Sequence, residues 1–289
     1  MTNINNFTNV LAPTVALAYL EHPEWVFIDC RFVLNEPDAG ALAYQHGHLP
    51  QAFYLHLNND LSSRAHAQTG RHPLPNVTAL AKKLASLGVN SATQVVVYDD
   101  QQGTIAGRLW WLLRAMGHTR VAVLDGGLKY WQQLGYPVTT RLPKPKPKPT
   151  QLSGWCNASL AVSARQVENL SAQHKILLLD ARSAERYQGL HEPIDPIAGH
   201  IPTALNRPVQ QNLTAAGVFH TADQLRAQFL ALITPFSPEQ VVHYCGSGVT
   251  ACHNILAMDY AGLTPSRLYV GSWSEWIQNQ NRMVVSSAG

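Results

Sequence analysis

The sequence predicts an α/β protein built twice over, each copy a mostly parallel central sheet flanked by helices on both faces. The first observation behind this is internal repetition. VFIDCR (26–31) recurs as LLLDAR (177–182), GHLPQA (47–52) as GHIPTA (199–204), VVVYD (95–99) as VVHYC (241–245), and LDGGLKYW (124–131) as YVGSWSEW (269–276). Four blocks in one order at a nearly constant offset indicate duplication. The second is that each copy alternates short apolar runs with helical patterns, the signature of a parallel sheet covered on both sides. The third is the segment RLPKPKPKPTQLSG (141–154). Alternating Lys and Pro sustain neither a helix nor a central strand, so this stretch reads as an extended linker.

The elements follow in order. Copy one predicts strands at about 25–29, 95–98 and 121–124, with helices at about 76–87, 105–116 and 127–134. Copy two predicts a helix over 163–172, a strand over 176–180, helices near 222–232 and 251–262, and strands over 241–244 and 268–270. The run Leu109-Trp110-Trp111-Leu112-Leu113 reads as a buried helix, and Trp273 and Trp276 read as packing residues.

Composition narrows the function. The chain has 289 residues, 46% of them hydrophobic and 13% charged, with a net charge of +3. That suffices for two cores and argues against disorder. With no basic block, nucleic-acid binding is not indicated, whereas a mild positive balance suits small anionic substrates. No apolar run approaches membrane-spanning length. MTNINNFTNVLAPT lacks the pattern of a secretory signal. Cys30, Cys156, Cys245 and Cys252 are too few and too irregular for a disulfide framework. A cytoplasmic protein is expected, in which any special cysteine is special for its reactivity.

The chemistry concentrates in HYCGSGVTACHN (243–254). Cys245 ends an apolar strand, and Gly246, Ser247, Gly248, Val249 and Thr250 lead into a helix. Ligands gather beyond the carboxyl ends of such strands. Amides of the turn and first helical turn lack intrahelical acceptors, so a loop curled around the sulfur would favour a thiolate and receive an anionic substrate. The glycines permit the backbone angles and close approach that this needs. The alternative is a small buried thiol in a tight turn. A zinc site from His243, Cys245, Cys252 and His253 does not match a usual ligand spacing, and no metal is expected. Cys252 reads as a buried helical residue.

CGSGVTA, the duplication, the GHIP-type segments and the GSWSEW ending together resemble the two-domain sulfurtransferases of the rhodanese superfamily. The resemblance implies two tandem rhodanese-like domains: 1–140 without the cysteine, a linker over 141–155, and a catalytic domain over 156–289. It implies that Cys245 accepts a sulfur atom as a persulfide and needs no cofactor. Asp99 occupies the equivalent place in copy one, which cannot form a persulfide there. Phosphatase relatives of the fold need an arginine six residues after the cysteine, where this chain has Ala251.

The loop is similar to that of 3-mercaptopyruvate sulfurtransferases, in which the hydroxyl, here Ser247, helps polarise the substrate or move a proton. Thiosulfate-preferring relatives place basic residues there. In DARSAERY the match to a substrate-binding arginine is Arg186, whose planar fork suits a carboxylate. The EPR-like segment carries Glu192-Pro193-Ile194-Asp195 with no arginine, and Arg207 is the candidate substitute. His72, in GRHPLP, matches a histidine that pairs with the loop serine, while the accompanying acid falls on Asn58 with Asp60 two residues later. Asp180, Arg182 and His200 recur as Asp29, Arg31 and His48, which points to structural work. The expectation is transfer from 3-mercaptopyruvate to cyanide, a thiol or a thioredoxin-like acceptor. Thiosulfate:cyanide transfer is the alternative, and a non-enzymatic binding module the rival of another class.

Overall fold

A computed structural model describes residues 6–144, 152, 154–155 and 157–286. Most of the Lys/Pro stretch expected as a linker, and Cys156, lie outside the described residues. The chain forms two compact units. The first comprises Met1–Ser63, Pro75–Asn157 and Ala215–Phe219; the second comprises Arg64–Leu74, Ala158–Thr214 and His220–Gly289.

The first unit runs β1 (Val10–Leu11), α1 (Pro13–Ala18), β2 (Trp25–Asp29), α2 (Ala39–His46), β3 (Phe53–Tyr54), α3 (Val77–Ser86), β4 (Gln94–Tyr98), α4 (Ala106–Ala115), β5 (Val121–Leu124) and α5 (Gly127–Gln133). Its five strands lie in the order β1-β5-β4-β2-β3, and every pairing is parallel. Every residue of β2 and β4 is buried, as parallel strands covered on both faces require. Alternate side chains divide between the faces. Trp25, Phe27, Val96 and Tyr98 join Ala16, Leu20, Leu128 and Trp131 in one core, while α4, buried along nearly its whole length, packs on β4 and β5.

The second unit repeats the plan with β6 (Ala161–Val162), α6 (Ala164–Ala172), β7 (Leu177–Asp180), α7 (Ala184–Gln188), β8 (Leu205–Asn206), α8 (Ala222–Ile233), β9 (Val241–Tyr244), α9 (Ala251–Tyr260), β10 (Arg267–Tyr269) and α10 (Ser272–Trp276). The order β6-β10-β9-β7-β8 is again wholly parallel. Capping boxes fix two helix starts: Ser163 with Gln166 for α6, and Thr221 with Gln224 for α8, each cap worth roughly 1 kcal/mol. No helix among the described residues is long and apolar enough to cross a membrane.

The repeated polar residues perform the same work in both units. Asp29 takes the Arg31 side chain, whose Nη2 donates to Gly47 O at 2.7 Å; Asp180 takes Arg182, whose Nη2 donates to Gly199 O at 2.7 Å. Tyr98 accepts from Leu49 N–H and Tyr244 from Ile201 N–H. His48 stacks on Tyr44 and His200 on Tyr187, each ring bonded through Nδ1 to that tyrosine's carbonyl. Buried ion pairs of this geometry satisfy each other's hydrogen-bonding needs and pin the turn beyond the central strands.

Candidate active site

β9 delivers Cys245 to the carboxyl edge of its sheet, and α9 begins six residues later. The first turn of α10 clips the loop in place. Cys245 N–H donates to Ser272 Oγ (3.1 Å), Trp273 N–H to Cys245 O (3.0 Å) and Ser274 N–H to Gly246 O (2.9 Å). Ser272 Oγ donates in turn to Tyr269 O at 2.9 Å. Cys245 and Ser247 are 3% and 8% exposed, so the sulfur sits on a sheltered floor. Gly248 has φ +75°, and a Cβ there would collide with the carbonyl of Val270. Val249 and Thr250 form the entry to α9, their carbonyls accepting from Cys252 N–H and His253 N–H.

The first unit displays what this kind of loop does with an anion. Asp99 stands where the second unit has Cys245. Its Oδ1 accepts from Gln101 N–H and Gly103 N–H at 2.8 Å, and its Oδ2 from Ile105 N–H and Ala106 N–H at 2.8 and 2.9 Å. Burial raises its pKa on balance, and the four amides offset only part of that rise. Four fixed N–H donors aimed at the two oxygens favour the acceptor-only, ionised carboxylate. The strand-to-helix turn is therefore an anion nest in the copy that cannot carry a sulfur.

Two sequence-matched side chains converge on the Cys245 loop. His72, 5% exposed, places Nδ1 at 2.7 Å from Ser247 Oγ. Arg186, on α7, reaches the loop with its guanidinium: a Cβ built on Gly246 would lie 3.5 Å from its Nη2 and 3.7 Å from its Nη1. Its Nε and Nη2 grip Glu192, and Nη2 also donates to Asp195 Oδ2 at 3.1 Å. Burial works to raise the Glu192 carboxyl, but the Arg186 fork and the N–H groups of Asp195 and Ile194 outweigh it and set it below the usual glutamate value.

Other matched residues lie elsewhere. Arg207 directs Nε and Nη2 to Asn212 and Nη2 also to Gln211 O and Gln228, with Phe229 beneath its guanidinium. Burial brings its pKa down to about 10. Asp60 belongs to the first unit, where it accepts from His56 N–H at 2.8 Å and stands 3.8 Å from Lys83 Nζ. Asn58 N–H donates to His56 Nδ1. Cys252 is fully buried, with Sγ at 3.5 Å from Gly248 O.

Arg71, Asp195, Ser272 and Ser274 join the site without a chemical motif of their own in the sequence. Arg71 Nη1 pairs with Asp195 Oδ1, and its Nη2 would stand 2.9 Å from a Cβ on Gly246. The available signal was adjacency: Arg71 precedes His72, and both serines sit in the repeated GSWSEW block. A cleft of about 480 Å³ opens beside Arg71 and Asp195, with Ile194, Pro196, Ser274 and Ile277 on its walls.

Comparison with known proteins agrees with this architecture. The family model for the rhodanese-like domain matches residues 12–134 and again 163–279. The chain is 43% identical over 271 residues to a probable 3-mercaptopyruvate sulfurtransferase of Pseudomonas aeruginosa, covering 93% of this chain and 95% of that protein. It is 35% identical to the thiosulfate sulfurtransferase of Bos taurus, covering 81% and 78%. The solved 3-mercaptopyruvate sulfurtransferase from Leishmania major superposes with a TM-score of 0.81 at 28% identity, over 93% of this chain and 74% of that one. The chain belongs to the rhodanese family, as a tandem of two rhodanese-like domains.

Proposed function

We propose that the protein is a sulfurtransferase that takes sulfur from 3-mercaptopyruvate onto Cys245 and passes it to a thiophilic acceptor. The observation that carries the choice of donor is the 2.7 Å pair between His72 and Ser247 in the Cys245 loop. The two candidate donors differ in what they ask of such a pair. Attack of the Cys245 thiolate on thiosulfate forms the S–S bond and expels sulfite, and no proton moves. Attack on the thiol sulfur of mercaptopyruvate forms the same bond but breaks S–C. The electron pair leaves on carbon as the enolate of pyruvate. The proton of the donor thiol must then be removed and carbon must be protonated. Sulfur is oxidised to the sulfane level, carbon is reduced, and no external oxidant is required. A serine backed by a buried histidine can relay that proton.

Electrostatics favours the same donor. Glu192 and Asp195 offset the guanidinium charge over Gly246, which suits a single carboxylate better than a dianion brought directly to the loop. In the second half-reaction cyanide, a small thiol or a thioredoxin-like thiolate attacks the outer sulfur, and Cys245 leaves as thiolate. This is covalent catalysis with ping-pong kinetics, and the cysteine itself carries the group. Gly246, Gly248, Val249 and Thr250 supply backbone around the sulfur. We place the reaction in the cytoplasm: Cys30, Cys245 and Cys252 are all free thiols, and a persulfide carrier works where thiols stay reduced.

Steady-state kinetics with both donors on one preparation tests the reading. A higher kcat/KM for mercaptopyruvate is expected. A higher value for thiosulfate would replace the donor, and turnover with neither would favour the binding-module alternative.

A further inference from the structure

We infer that Arg71 is a donor-binding residue, its Nε–Nη2 edge gripping the carboxylate of the donor beside Arg186. The inference rests on the sulfurtransferase reading and adds to it a residue from a segment remote in sequence from the cysteine loop. Two guanidiniums meet at one place. The position a Cβ would take on Gly246 lies 2.9 Å from Arg71 Nη2, 3.5 Å from Arg186 Nη2 and 3.7 Å from Arg186 Nη1. A side chain at 246 would crowd Arg71 Nη2 and would stand in ordinary contact with Arg186.

The two forks are not equally engaged. Arg186 spends Nε and Nη2 on Glu192 and Asp195. Arg71 uses Nη1 for Asp195, and its Nε is buried with no hydrogen-bond partner among the described residues. Nε and Nη2 form the edge of a guanidinium that binds a carboxylate through two parallel bonds. Of the two arginines, Arg71 is thus the one whose Nε–Nη2 edge has no protein acceptor among the described residues, and its Nη2 faces Gly246. A buried N–H without an acceptor is costly unless a ligand supplies one.

Asp195 shows that a carboxylate fits between these side chains, since its Oδ1 pairs with Arg71 and its Oδ2 with Arg186. It is itself 2% exposed, whereas Arg71 and Arg186 are 28% and 16% exposed, so the arginines are the part that an incoming anion meets. The backbone of Arg71 is rigidly placed for this. Its N–H donates to Ser274 Oγ at 3.1 Å, and Ser274 N–H holds Gly246 O at 2.9 Å. One turn of α10 therefore sets the register between the Arg71 fork and the cysteine loop.

The test is Arg71→Lys, which keeps the charge facing Asp195 and removes the fork. KM for mercaptopyruvate should rise about tenfold or more while kcat changes less than about threefold. Calorimetric titration of the resting wild-type enzyme with pyruvate, which carries the same carboxylate and transfers no sulfur, should show binding that weakens to a similar degree in Arg71→Lys. Asp195→Asn serves as the control for a merely structural tie, because it breaks the ion pair and leaves the fork; it should retain pyruvate binding. Unchanged KM and unchanged pyruvate binding in Arg71→Lys would overturn the assignment, as would failure of the wild type to bind pyruvate. A wild type that binds pyruvate through Arg71 yet turns over neither donor would leave this site standing and refute the sulfurtransferase reading instead.

Discussion

Asp99→Asn removes one carboxylate oxygen from a nest that uses both. Each oxygen of Asp99 accepts two backbone N–H groups at 2.8–2.9 Å. Whichever oxygen the amide nitrogen replaces, two charge-assisted bonds disappear, at roughly 1.5–3 kcal/mol each. The two orphaned N–H groups then face a donor, with no room for water because Asp99 is fully buried. The expected loss is therefore about 3–6 kcal/mol, a large share of the ~5–15 kcal/mol that holds a domain. At roughly 2–4 °C per kcal/mol for a domain of this size, the first unit should melt some 10–20 °C lower. Differential scanning calorimetry at neutral pH reads this directly. A melting shift under about 3 °C would mean that the four amides do not need an anion, and would remove the physical basis for treating the matching Cys245 loop as an anion cradle.

His243, two residues before Cys245, is wholly buried with neither ring nitrogen bonded among the described residues, and burial pushes its pKa down to about 3. The unfolded chain takes a proton near pH 6.5 that the folded chain refuses. Its neutral form therefore costs no linkage energy above that pH, and stability is lost as pH falls toward 3, by about 2 kcal/mol at pH 5. His243→Val, matching Val97 of the first unit, should abolish that increment in urea unfolding; an identical wild-type–variant difference at pH 8 and pH 5 would refute it. Ser247→Ala should lower kcat for mercaptopyruvate by about 100-fold and change thiosulfate turnover less than about threefold, since only the first donor needs a proton moved. Equal losses with both donors would assign Ser247 to loop packing. Arg186→Lys should lower kcat/KM for mercaptopyruvate by about one to two decades, read in the same steady-state assay, and unchanged kinetics would make Arg186 a partner of Glu192 alone.

The long elements were legible because burial writes them into composition. β2, β4, β7 and β9 are apolar runs covered on both sides, and α4 and α9 are buried almost throughout. β1, β3, β6 and β8 are two residues each, too short to show any period, so nothing in the sequence marks them as strands. α7 spans five residues with none buried, and its helical state rests on turn geometry that hydrophobic patterning does not report. At the site, Cys245, Ser247, Arg186 and His72 were legible because each lies in a motif. Arg71 was not, because its meeting with Asp195 and Gly246 depends on how residues 64–74 fold back into the second unit, which is long-range information. Arg207 carried the right charge in the right stretch, and its preference for Asn212 and Gln228 is equally a matter of tertiary packing.

Intact-mass measurement after treatment with 3-mercaptopyruvate, followed by peptide mapping, tests the central claim most directly. One added sulfur atom per chain should appear, map to Cys245, and disappear on addition of cyanide with thiocyanate released. It should be absent from Cys245→Ser and present in Cys252→Ser. A sulfur that maps to Cys30, Cys156 or Cys252, or turnover that persists in Cys245→Ser, would contradict the account.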